Sequence, residues 1–445
     1  MRLVHLGHAC WLLQAGTLRV LFDPVLGPGH SGGTFSIVPR RRVDARSLRA
    51  DFILVSHAHP DHFDPESMAE LARVDPESVL VTPDALVAEV ARIVGFRTVR
   101  EVAPGTRVEL DDGLVLVTTP SRAPDVEWGV VAMDRSGVAW NMVDTVFAST
   151  AEVVTAREAA TAGRPVDLVL APIQPMREIA LATADHVGFD AKQYRHMLGC
   201  AAAVGARHLV PSAAGDAHAP PFTALNAWVY PVTRERAARD IVALAPGTRA
   251  WLPAVGEALV LDGGDVGVEP GDVAVELLGD DPARAFRPLE PAPLVDFNLP
   301  GLDEATYRAR IGSFVRDELA PKLGDALSSR DDLGDICMVL EVVYERAREA
   351  FTFDRFGGVA LGGTDEYEVL DVVAGSMLWE VIEGRRAWGE PLLAGALRAS
   401  VRGVSIADGI VRPLSIAPMF PYYALSYRES VRRAALHRAR QAAAR

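Results

Sequence analysis

Residues 51–56, Asp-Phe-Ile-Leu-Val-Ser, run directly into His57-Ala58-His59-Pro60-Asp61-His62. The first segment is nearly all apolar and too short for a core helix, so it reads as a strand covered on both faces. Three imidazoles and one carboxylate then follow on a loop that this strand holds rigid, which makes a preorganised ligand set. Alternation puts His57 and His59 on one side, while Asp61 and His62 turn toward a neighbouring point. Two adjacent cation positions served by one loop are therefore expected. A histidine-rich surface loop is the bland reading, but only 11 histidines occur in 445 residues. Clustering three of them brings charge repulsion at mildly acidic pH that needs a reason.

The flanking sequence supports a layered fold. Short β-rich runs at 3–6, 10–14 and 18–22 precede the apolar strand, and a helix over 65–73 follows it. A strand at 79–81 and a helix over 85–94 repeat the unit, and strands at 99–102, 107–110 and 114–119 come next. Residues 128–133 and 138–142 read as a hairpin around Asp134-Arg135-Ser136-Gly137. A helix over 151–162, a strand at 166–171, a helix over 191–204, a strand at 208–211 and a closing element over 252–261 complete an α/β region.

The stretch Glu290-Pro-Ala-Pro-Leu-Val is the most linker-like in the chain, which places a boundary near Pro293 and gives domains 1–290 and 294–445. Beyond it, apolar spacing predicts helices over 303–319, 333–351 and 392–401, with a strand at 366–373, in a mostly helical α+β domain. Trp379, Trp388, Tyr422, Tyr423 and Tyr427 read there as core. This domain is expected to act as a lid over the histidine-rich loop, because reactive chemistry open to water needs a dry enclosure. The basic end, 427–445, reads as a solvated or internally docked helix.

Forty-five basic against 59 acidic residues leave a net charge of −14, which argues against nucleic acid and anionic membranes as partners. Cys10, Cys200 and Cys337 are far apart, so neither a disulfide framework, a cysteine-built zinc site nor a Rieske cluster is expected. No apolar run approaches the ~18–20 residues that span a bilayer, and residues 1–13 do not read as a signal peptide. A cytoplasmic location is the expectation.

The His57–His62 motif matches the HxHxDH signature of the metallo-β-lactamase fold. Leu6-Gly7-His8-Ala9 and Leu21-Phe22-Asp23-Pro24 resemble the opening strands of its ascorbate-phosphate-lactonase-like branch. The resemblance spans about residues 1–260. It implies a four-layer αβ/βα sandwich with a mono- or dinuclear site whose ligands include His57, His59, Asp61 and His62. Asp144, in Asn141-Met142-Val143-Asp144, sits where the family's bridging aspartate is expected; the alternative for it is a helix cap, a task Ser149 or Thr150 suits better. The Asn-x-x-Asp spacing is similar to the CMP-N-acetylneuraminate hydroxylase-like branch.

The chain departs from the hydrolytic pattern after strand 114–119, where no histidine occurs between His62 and His186. Asp125 and Glu127 are the local replacements, with Asp125 preferred because it lies nearer the strand end. Diiron β-hydroxylases of natural-product assembly lines show a similar carboxylate for histidine. The last ligand is His186, with His218 the alternative. Catalytic or ligand-orienting roles are expected at Asp61, His8 and Asp23, the last as a carboxylate behind a ligating imidazole.

Hard carboxylate donors favour iron or manganese over zinc. The expectation is two divalent ions, iron foremost and zinc or manganese the alternatives, in an oxygen-activating enzyme for a small-molecule substrate. Its electrons would come from an external reductase or from the substrate. A metallohydrolase of an ester, lactone or phosphodiester is the second reading, and an inactive metal-binding scaffold the third.

Overall fold

Side-chain alternation along the strands sets the layers of the first unit. In the computed structural model Val130, Ala139, Leu168 and Leu170 point into one core, while their neighbours Val131, Trp140 and Val169 point into another. A sheet with two apolar faces has to be covered on both. The model describes residues 1–445 apart from 124–126, 173–176, 178, 179, 181, 183–188, 285–292, 408 and 415–418. The expected ligands Asp125 and His186 and half of the proposed linker, 290–292, lie outside the described residues.

The chain forms two units: Met1–Pro175, Phe189–Arg287 and Arg438–Arg445 in one, Met176–Gly188 and Pro288–His437 in the other. In the first, an eight-stranded sheet runs in the order Asp265–Pro270, Glu257–Asp262, Arg2–Gly7, Cys10–Ala15, Leu18–Phe22, Phe52–Leu54, Val79–Thr82, Thr98–Glu101. It is antiparallel as far as Leu18–Phe22 and parallel beyond. A seven-stranded sheet runs from Arg107–Glu109 through Val115–Pro120, Trp128–Met133, Val138–Asn141, Leu168–Pro172 and His208–Ser212 to Arg249–Ala250. Trp11, Leu13, Val20 and Leu54 of the first sheet meet Leu116, Trp128, Val130 and Val210 of the second. Helices Thr150–Thr161, Ala191–Ala203 and Arg234–Leu244 cover the other face of the second sheet with Val153, Leu198 and Ile241. Helix Ala85–Val94 packs on Val79–Thr82 and Thr98–Glu101, beside Pro65–Val74. This is the four-layer αβ/βα sandwich.

The end of the chain belongs to this unit. Arg438 donates to Asp64 Oδ1 and Glu66 Oε2, both at 2.8 Å, and Arg73 donates to the Ala442 carbonyl at 3.2 Å. Asp64 also caps helix Pro65–Val74 by accepting from Ser67 N at 2.9 Å. The basic terminus is thus an internal dock, at least through Arg438. No described helix is long and apolar enough to cross a membrane.

The second unit is α+β, and two of its expected helices are strands. Residues 333–351 contain strands Met338–Val343 and Arg348–Phe353, paired antiparallel with Val343 opposite Arg348. The helix-favouring run Glu345–Glu349 misled the periodicity reading, because Met338–Val343 also pairs in parallel with Val369–Ala374 and tertiary pairing overrides local propensity. Within 392–401, the helix Gly389–Leu393 stops before Gly395 (φ +63°), and Leu397–Val401 joins the sheet. Helix Glu304–Ser313 continues through a π-helical turn, Phe314–Leu319, into Ala320–Leu327; Pro321, which has no N–H to give, follows that turn directly. Trp379 and Trp388 are core, and the Trp388 indole donates to the Leu425 carbonyl at 2.8 Å.

Asp371 is an isolated buried acid on the interior strand Val369–Ala374. Phe420 N donates to its Oδ2 at 2.9 Å, and its Oδ1 has no hydrogen-bond partner among the described residues. Burial pushes its carboxyl well above the usual range, against the smaller opposing effect of the Phe420 amide. The fold therefore binds this proton more tightly than the unfolded chain does. The associated stability is complete below the ordinary carboxylate pKa and is lost as pH rises through the elevated one. Asp371→Asn, neutral throughout, is expected to remove this loss, so that in thermal melts the variant gains on the parent as pH rises from 4 to 8. A constant difference between the two across that range would contradict the assignment.

Candidate metal centre

Several strands deliver polar residues to one edge of the sandwich. Leu18–Phe22 ends at Asp23, Phe52–Leu54 leads into Ser56–His62, Val138–Asn141 leads to Asp144, and His208–Ser212 leads to Asp216. Open α/β sheets bind ligands at such carboxyl ends. Four non-glycine residues here have left-handed backbones: His8 (φ +52°), Asp23 (φ +42°), Val143 (φ +52°) and Ala213 (φ +49°). For β-branched Val143 this conformation is costly, and such strain is retained where the surroundings enforce it. The turn is held by Asn141 Oδ1, which accepts from Val143 N at 3.1 Å, and by Thr145 Oγ1, which donates to the Met142 carbonyl at 2.7 Å. Ser149 caps helix Thr150–Thr161, so Asp144 is not its cap.

Asp23 is 1% exposed. It accepts from Ser56 N at 2.7 Å, from Ser56 Oγ at 3.0 Å and from His62 Nδ1 at 3.0 Å. It is therefore an orienting carboxylate and not merely a turn starter. With its Nδ1 proton directed at Asp23, His62 presents a bare Nε2 toward Asp61 Oδ2 at 3.1 Å and Asp144 Oδ2 at 3.2 Å. That nitrogen is buried and has no in-line hydrogen-bond partner among the described residues.

His57 shows the same pattern. Its Nδ1 meets Ser56 Oγ at 2.8 Å, and its buried Nε2 has no partner among the described residues. The His57 ring lies 4.4 Å from the rings of both His59 and His62, centroid to centroid. Two groups hold donor atoms within 4.8 Å of one another: His57, His62 and Asp144, and His8, Asp61 and His62. Orphaned imidazole nitrogens facing carboxylates fit a cation, which would satisfy both at once. His59 belongs to neither close group.

Electrostatics agree with a site short of positive charge. Burial opposes charge on His62, but with no cation between them Asp61 and Asp144 push its pKa well above the ordinary value, a demand for positive charge that a bound metal ion would meet in place of the proton. Burial likewise works against Asp61, yet His62 and His8 keep it ionised. His57, enclosed beside His62 and His59, is pushed well below its ordinary value and is neutral, as a ligand must be. Glu127 is 5% exposed, accepts from Ser121 Oγ, and is pushed up to about 7 by burial and by Asp144, with His59 and His62 acting the other way. It thus feels the same charges as the ligand loop. Arg122 turns away to Glu152, 2.7 Å distant.

His218 is buried but belongs to the scaffold here. Its amide N donates to Asn226 Oδ1 at 2.7 Å, and its ring packs on Phe35 and Tyr230. It joins no close ligand group among the described residues. The sequence reading missed two residues, Asp216 and His30. Asp216 Oδ1 lies 3.3 Å from both His8 Nδ1 and His30 Nε2. Asp216 follows a predicted strand by five positions, and this was the only available signal.

A family model described as a β-lactamase superfamily domain matches residues 2–184. Residues 2–184 thus resemble the β-lactamase superfamily, in agreement with the HxHxDH signature at His57–His62. A Mycolicibacterium smegmatis protein named for a Rieske 2Fe-2S iron-sulfur centre is 28% identical over 155 residues, covering 32% of this chain and 30% of that one. A metal-dependent hydrolase from Salinibacter ruber is 29% identical over 185 residues, covering 39% of this chain and 72% of the relative. Cytidine monophosphate-N-acetylneuraminic acid hydroxylase from Danio rerio is 35% identical over 78 residues, covering 17% and 13%. The match thus spans under a third of the first relative's length. The three cysteines here are free, two buried and one half-buried, with no paired set for a Rieske cluster among them.

Asp23→Asn keeps the volume but exchanges a full negative charge behind His62 for an amide that has to flip to accept its proton. Metal affinity is expected to fall ~10–100-fold, the usual cost of losing such a support. Competition with a chelator measures it, and an unchanged dissociation constant would contradict the role.

Proposed function

We propose that the protein is a dinuclear metal enzyme that activates dioxygen for the oxidation of a small molecule, with iron the preferred metal. His57, His59, Asp61, His62 and Asp144 hold the ions, a carboxylate of the 120–127 loop completes one position, and His186 is a further candidate ligand. The observation that carries this reading is Glu127, a carboxylate 5% exposed and held by Ser121 in the loop where the resemblance leads one to expect an imidazole. It joins neither close donor group among the described residues, but Asp144, His59 and His62 act on its charge. Asp125 is the other acid of that loop. Oxygen-rich donor sets favour iron and manganese over zinc. Bound iron would supply the one-electron steps that dioxygen chemistry requires.

The chain's own residues do the positioning. Asp23 fixes the tautomer and ring plane of His62, Ser56 does the same for His57, and the strained turn at Val143 holds Asp144 toward His62. Ser121 holds the Glu127 carboxyl through its hydroxyl. Asp144, the most exposed of these groups with its side chain 35% accessible, marks the side from which a small molecule reaches the ions. Electrons come from a separate reductase or from the substrate, since the cysteines offer no cluster of their own. The names of the hydroxylase and Rieske relatives are consistent with redox work.

Hydrolysis of an ester, lactone or phosphodiester by a zinc- or manganese-loaded site is the second reading. The Salinibacter ruber hydrolase, matched over 72% of its length, favours it.

Metal analysis and optical spectroscopy after iron-supplemented expression separate the two. Iron near two per chain, with near-ultraviolet absorption that bleaches on reduction, is expected, as is a shift of metal preference from iron toward zinc in Glu127→His. Zinc alone with esterase turnover would replace the oxidative reading by the hydrolytic one. Less than about 0.2 metal per chain would sink both, because a preorganised site of this ligand count binds divalent ions tightly.

A further inference from the structure

We propose that His8 is a direct ligand of the second metal ion, with Asp216 as the carboxylate that orients it. The inference rests on the two-metal reading above and concerns how the Asp61–His62 position is completed. Metal positions of this kind want at least three protein ligands. Among the described residues, the only imidazole outside the 57–62 loop that joins a close donor group is His8, with Asp61 and His62. The strand His208–Ser212 ends in a serine, and His218 beyond it is engaged with Asn226.

His8 and His62 face the same Asp61 oxygen, and each has a carboxylate behind its Nδ1. Asp23 hydrogen-bonds His62, whereas Asp216 Oδ1 forms no hydrogen bond among the described residues, and it is His8, not His62, whose Nε2 hydrogen-bonds Asp61. Behind His62 Nδ1 stands Asp23 Oδ2 at 3.0 Å, and in front of its Nε2 stands Asp61 Oδ2 at 3.1 Å. Behind His8 Nδ1 stands Asp216 Oδ1 at 3.3 Å, and in front of its Nε2 stands the same Asp61 oxygen at 3.1 Å. The rings meet edge-on, with centroids 5.4 Å apart and planes at 71°. Adjacent donors around an ion with ~2.1 Å bonds lie roughly 3.0–3.4 Å apart, the separation seen here. A ligating imidazole backed by a carboxylate is the arrangement that fixes its tautomer.

The backbone also holds His8 in place. It occupies a left-handed turn after Gly7, with φ +52° following +104°. A Cβ on Gly215 would come within 3.0 Å of His8 N and 3.1 Å of its Cα, so only glycine lets that loop close over the turn. Asp216 is itself braced by His30 Nε2 at 3.3 Å. One contact points the other way. Gly215 N donates to His8 Nδ1 at 3.1 Å, which suits a tautomer that uses Nε2–H to orient Asp61 without touching metal. The two roles predict different metal counts.

His8→Gln separates them, because its amide N–H can still donate to Asp61 whereas glutamine is a poor ligand. Wild type, His8→Gln, His8→Ala and Asp216→Asn are loaded with ferrous or manganous ion under anaerobic conditions, desalted and assayed for metal per chain. Circular dichroism reports folding. The expected result is one ion fewer in both His8 variants than in wild type, and faster loss to chelator by about tenfold or more in Asp216→Asn. A His8→Gln protein that keeps the wild-type count overturns the proposal and leaves His8 an orienting donor. A wild type without metal fails the two-metal reading instead, and shows this before any variant is compared. If the His8 variants do not fold, an anomalous difference map of metal-soaked wild type decides. An ion within about 2.3 Å of a His8 ring nitrogen supports the proposal, and none within about 3 Å overturns it.

Discussion

The carboxylate of Asp23 ties the ligand loop to the sheet. It ends one strand, and it accepts from the backbone and hydroxyl of Ser56 and from His62. Neighbouring strands Leu18–Phe22 and Phe52–Leu54 run parallel, so their carboxyl ends lie side by side and the acid reaches the next loop without detour. A buried carboxylate given three donors is stable, whereas one with none would be costly. The His57–His62 segment can therefore be short and still rigid. His57 and His62 keep their Nε2 atoms near a common point beside Asp144 because their Nδ1 atoms are occupied from behind.

The first unit was legible from its sequence to a degree that the second was not. Strands such as Cys10–Ala15, Trp128–Met133 and Val138–Asn141 carry continuous apolar character bounded by Gly, Asp or Asn, and helix Ala85–Val94 is bracketed by an Asp cap and a left-handed Gly95. In those segments local propensity and tertiary demand agree. Across 338–353 they conflict, and the outcome rests on pairing with Val369–Ala374, thirty residues away in sequence and invisible to a window reading. The same limit hid Gly29–His30 and Phe35–Ile37, two short strands that bring His30 to Asp216 through pairing with Asp216–His218.

The ligand loop and Asp144 announced themselves by residue type and position after strands. Glu127 and Asp125 could be ranked only by distance from a strand end, since a loop's path is not written in its spacing. His8 was visible as a polar residue in the turn between two apolar strands, but its neighbours Asp216 and Gly215 lie more than two hundred positions on. Sites whose parts come from distant loops are readable only where each part carries its own signal. Asp216 carries almost none.

The chain visits the first unit three times, and its final eight residues return to complete it after the second unit has been made. Arg438 then neutralises Asp64, the cap of the helix that follows the ligand loop. During synthesis Asp64 is made long before Arg438, and it waits for its partner through the roughly 370 residues between them. At ~5–20 residues per second that is a delay on the order of tens of seconds. The counter-charge of this buried acid thus arrives only after the second unit's residues have been made, and a polypeptide cut short anywhere before Arg438 leaves Asp64 without it.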